Sequence, residues 1–171
     1  MRNVVIESEV TAQSPEVGGR LIEIACVELH GATPTGRLFH RYFNPEQPQD
    51  PAAIEIHGIT DEFLASQPRF SDVAQSLVDF LSGATLVGHN IDFELDFLNA
   101  ELVGAGFSGL NELAPAGIID TLKLATEKLP QQGHTPDDII EYYRPETTLP
   151  GDGAVAMAHR VAMVFGLLSE S

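Results

Sequence analysis

Cysteine is nearly absent from the chain. Cys26 stands alone among 171 residues, which excludes any disulfide within the chain and fits a reducing, cytoplasmic setting. Basic residues are also scarce. Nine Lys and Arg face 25 Asp and Glu, for a formal net charge of −16, which excludes a broad electrostatic grip on phosphate backbones and leaves only local contact with nucleic acid. No apolar run is long enough for a membrane helix, and the opening "MRNVVIESEV" lacks the apolar core of a signal peptide, so no membrane association is expected. Internal repeats and low-complexity tracts are missing too, and the length suits one domain over residues 1–171.

What is present is a strand-rich first third followed by alternating strands and helices. Residues 3–6, 20–29 and 36–43 are apolar or alternating runs parted by Gly, Pro and Ser, and they read as an antiparallel three-stranded meander. Residues 70–83 place Val73, Leu77 and Phe80 or Leu81 on one helical face and stop at Gly83. A short buried strand over 84–90 precedes a helix over 92–106 with Phe93, Phe97, Leu98 and Leu102 inward. Residues 117–120, 121–129, 135–143 and 152–168 complete the run as one strand and three helices. Three strands and then αβα crossovers predict an α/β protein: a mixed five-stranded sheet, antiparallel and then parallel, flanked by helices.

Glu7 and Glu9 raise the chemical question. Positions i and i+2 of a strand share a face, so two carboxylates stand side by side at the end of an apolar run. Either they face solvent beyond the sheet, or a cation neutralises them.

The segments "VIESE", "GGRLIEIACVEL", "FNPEQP", "IHGITDEFL", "LVGHNIDFELDFLNAEL" and "DTLKLATEKLP" occur in an order and spacing that resembles the epsilon-type proofreading exonucleases of the DEDDh superfamily along nearly the whole chain. The resemblance implies the ribonuclease-H-like exonuclease fold and 3′-to-5′ hydrolysis of DNA or RNA. It also implies two divalent metals, Mg or Mn, held by acidic residues, with a His as general base. It assigns Glu7, Glu9 and Glu94 as metal ligands, and it places Asp152 at the general-base position and Met157 at the last ligand position. It further implies substrate contacts from Val10, Ala12, Gln13, His57 and Asn90.

The chain departs from the family's pattern at the chemistry. Glu7 and Glu94 stand where the family has Asp, Asp152 where it has His, and Met157 where it has Asp; a rival register starting at Pro150 puts Val155 in the ligand position. Asp to Glu keeps the charge but lengthens the arm by about one C–C bond, and misplacement by about 1 Å can cost around a hundredfold in rate. Met157 subtracts a carboxylate, because a thioether suits neither magnesium nor manganese. His159 is about 200° round the helix from Met157 and points away. Ala12 also stands where the family has Gly. Hydrolysis is therefore expected to be weak or lost, and a pseudo-exonuclease that docks a nucleic-acid end or a basic protein partner is the alternative.

Plainer readings of the same residues stand beside these. Asn90 and Asp92 suit helix N-capping, as does Asp152 before "GAVAMA", and Met157 and Met163 suit core filling. "QSLVDF" over 75–80 faintly resembles a sliding-clamp-binding peptide but lies on an amphipathic helix with its apolar side inward. The chain ends at "GLLSES" soon after its last helix, so the polymerase-tethering tail of replicative family members is expected to be absent.

Overall fold

The computed structural model describes residues 1–149 and 151–170. Three strands, β1 (Arg2–Val10), β2 (Leu21–His30) and β3 (Thr33–Tyr42), form the meander, with both pairings antiparallel. β4 (Thr85–Gly88) then pairs with β1, and β5 (Gly117–Asp120) with β4, both parallel, to give the order β3-β2-β1-β4-β5. The mixed five-stranded sheet is the one the sequence predicts.

Strand β1 is longer than its apolar core. Pairing with β2 continues through Glu7 and Glu9 to Val10, where the register shifts between Glu9 and Val10. Both glutamates therefore lie within the sheet rather than beyond it.

Helices cover the two faces. α3 (Phe70–Leu81) and α4 (Ile91–Gly104) pack Leu77, Leu81, Phe97, Leu98 and Leu102 with Val4, Ile6, Ile24 and Leu86 on one face. α7 (Ala154–Glu170) packs Ala158, Val161 and Phe165 with Val5, Ala25, Val27 and Val87 on the other, and α5 (Thr121–Lys128) and α6 (Pro136–Tyr143) lean against α7. Among the described residues no helix is long and apolar enough to cross a membrane. Leu77 is 1% exposed, so the apolar side of the 75–80 segment is inside the core.

Periodicity makes no prediction for residues 44–69, where two short helices form. Asp50 accepts from Ala52 N–H ahead of Pro51 and starts α1 (Pro51–His57); Thr60 caps α2 (Asp61–Leu64) by accepting from Phe63 N–H. Gly58, at φ 73, ends α1 in a left-handed conformation that glycine takes freely.

Candidate active site

Two buried carboxyls, Glu7 and Glu94, and the half-buried Glu9 gather where β1 meets α4. Glu7 is 8% exposed. Glu94, in the first turns of α4, is 6% exposed, and its Oε2 accepts from Ser8 Oγ at 2.5 Å. The turn into α4 is what brings Glu94 there. Asn90 adopts φ 65, and its backbone N–H donates to Asp120 Oδ1 at 3.1 Å, while His89 Nδ1 meets Thr121 Oγ1 at 3.0 Å. The backbone of His89 also offers a hydrogen bond to Glu7.

The charges acting on these carboxyls are mostly one another. Burial, then the Glu94 charge, raises Glu7 well above the usual carboxylate range. Burial pushes Glu94 up to about 8, with Ser8 opposing and the Glu9 charge adding. Glu9 rises to about 7 through burial and then the charge of Glu23. Oε1 of Glu7 is buried and has no hydrogen-bond partner. An acceptor left without a proton or cation in that position carries a desolvation penalty of about 1–3 kcal/mol or more.

A cleft of about 460 Å³ opens beside Glu9, between the end of β1 and α1. Val10, Ala12, Gln13 and His57 all line it, so the structure brings together four of the five substrate-contact positions named from sequence. Phe93, Val17 and Ile56 add apolar wall, with Val17 72% and Ile56 85% exposed. His57 Nδ1 accepts from Ile59 N–H at 3.0 Å, which leaves the proton on Nε2, an atom that is buried without a partner. Burial lowers the His57 pKa. Asn90 is outside the lining; it is exposed, and its side chain makes no capping hydrogen bond.

The last motif is arranged differently from the sequence reading. Asp152 does not cap α7: the first helical hydrogen bond runs from Met157 N–H to the Gly153 carbonyl, one residue later, and Gly153 sits at φ 95, where a side chain would be strained. Asp152 is exposed and is not among the charges that shift Glu7, Glu9 or Glu94. Met157 and Val155, the two candidates for the ligand position, both pack on the apolar cluster of Val5, Val87 and Ala158. Pro150 lies outside the described residues. His159 is exposed and faces a separate groove with Arg144 and Glu170.

Hard oxygen donors around an unsatisfied buried oxygen suit magnesium or manganese. Yet among the described residues no three His, Cys, Asp or Glu side chains stand ready-placed to hold a metal ion, and Ser8 occupies one Glu94 oxygen. Sequence reasoning missed Glu23, 3% exposed and bonded to His40 Nε2 at 2.7 Å. Its one signal is a carboxylate between Ile22 and Ile24 in an otherwise apolar strand.

Comparison with known proteins agrees with this geometry. Residues 4–150 match the family model described as Exonuclease. The chain is 34% identical over 144 residues to DNA polymerase III subunit epsilon of Rickettsia conorii, covering 84% of this chain and 63% of the relative. It is 35% identical over 144 residues to the Pasteurella multocida subunit, covering 82% of this chain and 56% of the relative. It thus spans less than two thirds of the length of these relatives. The fold superimposes on an exonuclease I structure with a TM-score of 0.84 at 12% identity, covering 99% of this chain and 41% of that one. The nuclease domain of 3′hExo, a DEDDh family member bound to rAMP, gives 0.78 at 16% identity, covering 99% of this chain and 92% of that one. Sheet order, the carboxyls at the β1–α4 junction and the sequence match converge on one conclusion: the chain belongs to the exonuclease family, as an epsilon-like member with the ribonuclease-H-like fold.

Proposed function

We propose that the chain takes the 3′ end of a single nucleic-acid strand into the cleft between β1 and α1, and that its 3′-to-5′ hydrolysis is strongly attenuated. The observation that carries this reading is the split between the two halves of the site. Glu7 and Glu94 are buried, with half-buried Glu9 beside them, next to an intact cleft, whereas Asp152 is exposed and Met157 is packed on apolar neighbours. Glu7, Glu9 and Glu94 are not ready-placed around an ion, so their side chains would have to draw together to hold one divalent cation, which when bound would supply Lewis acidity toward a phosphate oxygen. Val10, Phe93 and Ile56 offer apolar surface for a base, and the His57 Nε2–H offers a donor. Neither Met157 nor Asp152 supplies a second ion's ligand or a positioned base. The charge of −16 also favours a second reading, in which a basic protein partner docks on this surface.

The test is release of nucleotides from a 3′-labelled single strand in magnesium. The unaltered protein should release few, and the variant carrying Glu7→Asp, Glu94→Asp, Asp152→His and Met157→Asp should gain activity. A general base alone typically contributes about 10²–10⁴-fold. Restoring only positions 7 and 94 should gain little. Digestion by the unaltered protein at a rate ordinary for such enzymes would overturn attenuation. Failure to bind Mn²⁺ in calorimetry would overturn the cation and leave the partner reading.

A further inference from the structure

β3 ends the sheet, with β2 as its single neighbouring strand. Phe43 N–H donates to Ile22 O, and the pairing runs unbroken from there to Leu38 opposite Val27, so residues 43, 41 and 39 turn their backbone groups toward β2. Leu38, His40 and Tyr42 therefore turn theirs outward, a row of N–H and C=O groups that can take up a further strand.

The side chains along this edge set what it accepts. One face is positive in a chain of net charge −16. Arg37 and Arg41 stand on it, both exposed, with Phe39 between them, and Arg2 lies over the Phe80 ring that Arg37 also covers. Glu28 pairs with Arg2 and Arg37 together, so one carboxylate serves two guanidiniums and positive charge is left in excess. Arg41 rests on Phe39, 5.2 Å from the ring centroid, and its Nη1 donates to the His40 carbonyl at 2.6 Å. That carbonyl is one of the outward acceptors, so Arg41 covers the middle of the edge. The other face is apolar: Leu38 is 45% exposed, and Tyr42 meets Phe63, 44% exposed, edge-on at 4.9 Å.

A second copy of the chain fits this edge poorly. Antiparallel self-pairing centred on Phe39 lays Arg37 of each copy opposite Arg41 of the other, and like charges directly opposed are destabilising. An acidic strand fits well, because a carboxylate opposite Arg41 draws the guanidinium off His40 O and frees that carbonyl for the new ladder. The chain's distant acids oppose this only weakly, since the Debye length is about 8 Å at physiological ionic strength.

We infer that β3 is a docking edge for an extended acidic segment of a partner protein, added antiparallel along residues 37–42, with carboxylates opposite Arg37 and Arg41 and an apolar side chain opposite Leu38. Arg41 is the guard that admits acidic strands in preference to neutral ones. This edge is separate from the cleft, and its role does not depend on what the cleft binds.

The experiment is fluorescence anisotropy with a labelled peptide, Thr-Glu-Val-Thr-Val-Glu-Thr, whose glutamates share one face at the spacing of Arg37 and Arg41. Two companions are compared with it: one with both glutamates changed to glutamine, and one N-methylated at both valines, which lie opposite His40 and Leu38. The acidic peptide should bind, and the glutamine version should bind roughly tenfold more weakly, the scale of two exposed ion pairs and one released carbonyl. The methylated peptide should not bind, because it has lost the donors that face β3. Leu38→Pro removes an outward N–H and leaves the bonds to β2 whole, so it should abolish binding while Tm holds. Arg41→Ala should cut the preference for glutamate over glutamine to about twofold, weakening the first peptide and strengthening the second. If Leu38→Pro does not fold, the methylated peptide alone decides the backbone arm. Equal binding of the acidic and glutamine peptides, undiminished binding of the methylated one, or no binding of any at millimolar peptide would overturn the proposal. So would displacement of the acidic peptide by oligo-dT, which would give the arginines to phosphate, or a dimer in sedimentation that Leu38→Pro dissolves, which would give the edge to a second copy.

Discussion

Ser8 donates to Glu94 at 2.5 Å, and still burial wins: the Glu94 carboxyl is pushed up to about 8 and the Glu9 carboxyl to about 7. Raised acid pKa values have a definite sign in stability. An unfolded glutamate loses its proton near 4.5 and the folded ones here lose theirs near 7 to 8, so between those values the native state binds more protons than the unfolded state. Stability must therefore fall as pH rises from about 4.5 to about 8. For Glu94, the shift corresponds to a loss on the order of 3–5 kcal/mol. Thermal unfolding in EDTA from pH 5 to 8.5 should show Tm declining, with Glu94→Gln flattening the decline and saturating Mn²⁺ restoring Tm at pH 8. A Tm that is level across the window would show that the three carboxyls do not crowd one another. That Glu7 and Glu9 share a strand face is legible from their spacing; that Glu94 joins them is a contact across more than 80 residues.

Helix α4 carries Glu94 at one end and is anchored at the other by a clamp that local sequence does not announce. Arg20 Nε and Nη2 donate to Glu101 Oε1 and Oε2 at 2.7 and 2.9 Å, and Leu21 N–H donates to the same carboxylate at 3.0 Å. Glu101 is 6% exposed, so removing its partner strands a buried charge. Breaking a fully buried pair costs about 3–5 kcal/mol, and the 35% exposure of the Arg20 side chain brings the expectation to about 2–3 kcal/mol. Arg20→Ala should lower the urea midpoint accordingly, and Arg20→Ala with Glu101→Leu should recover much of the loss, since no unpaired carboxylate remains. Equal losses in the single and double variants would assign the clamp to packing of the arginine stem. At this scale the 3.6-residue period finds α3 and α4, but α1 and α2 escape it because seven and four residues are too few to show a face.

Over the whole molecule, charge bears on the proposed contact between the cleft and nucleic acid. Of the nine basic residues, Arg2 and Arg37 both pair with Glu28, Arg20 with Glu101, Arg69 with Asp72, Arg160 with Asp137, and Lys123 with Asp92. Few are left to release counterions from a phosphate backbone, and for a single strand log K falls by about 0.7 per phosphate neutralised per unit log salt. Anisotropy titrations of an oligo-dT strand should show weak binding at physiological salt, a slope magnitude below about 1.5, and tightening by Mn²⁺. Submicromolar binding with a steep slope would place the strand on a basic surface away from the cleft. The meander, the two crossovers and the mixed sheet follow from alternation, helical periodicity and Gly or Pro punctuation, so the architecture is largely readable from the chain.

The sequence by itself determined the five strands, the longer helices and the paired carboxylates of β1, because side-chain type, strand alternation and helical period are local properties. Only the tertiary structure decided which of those residues meet. Register opposes Glu23 to Glu9, the left-handed turn at Asn90 delivers Glu94, and the start of α7 at Ala154 leaves Asp152 exposed. The physical reason is that strand pairing and helix docking are settled by burial over the whole core, while the raised carboxyl pKa values depend on distances that exist only once that core has closed.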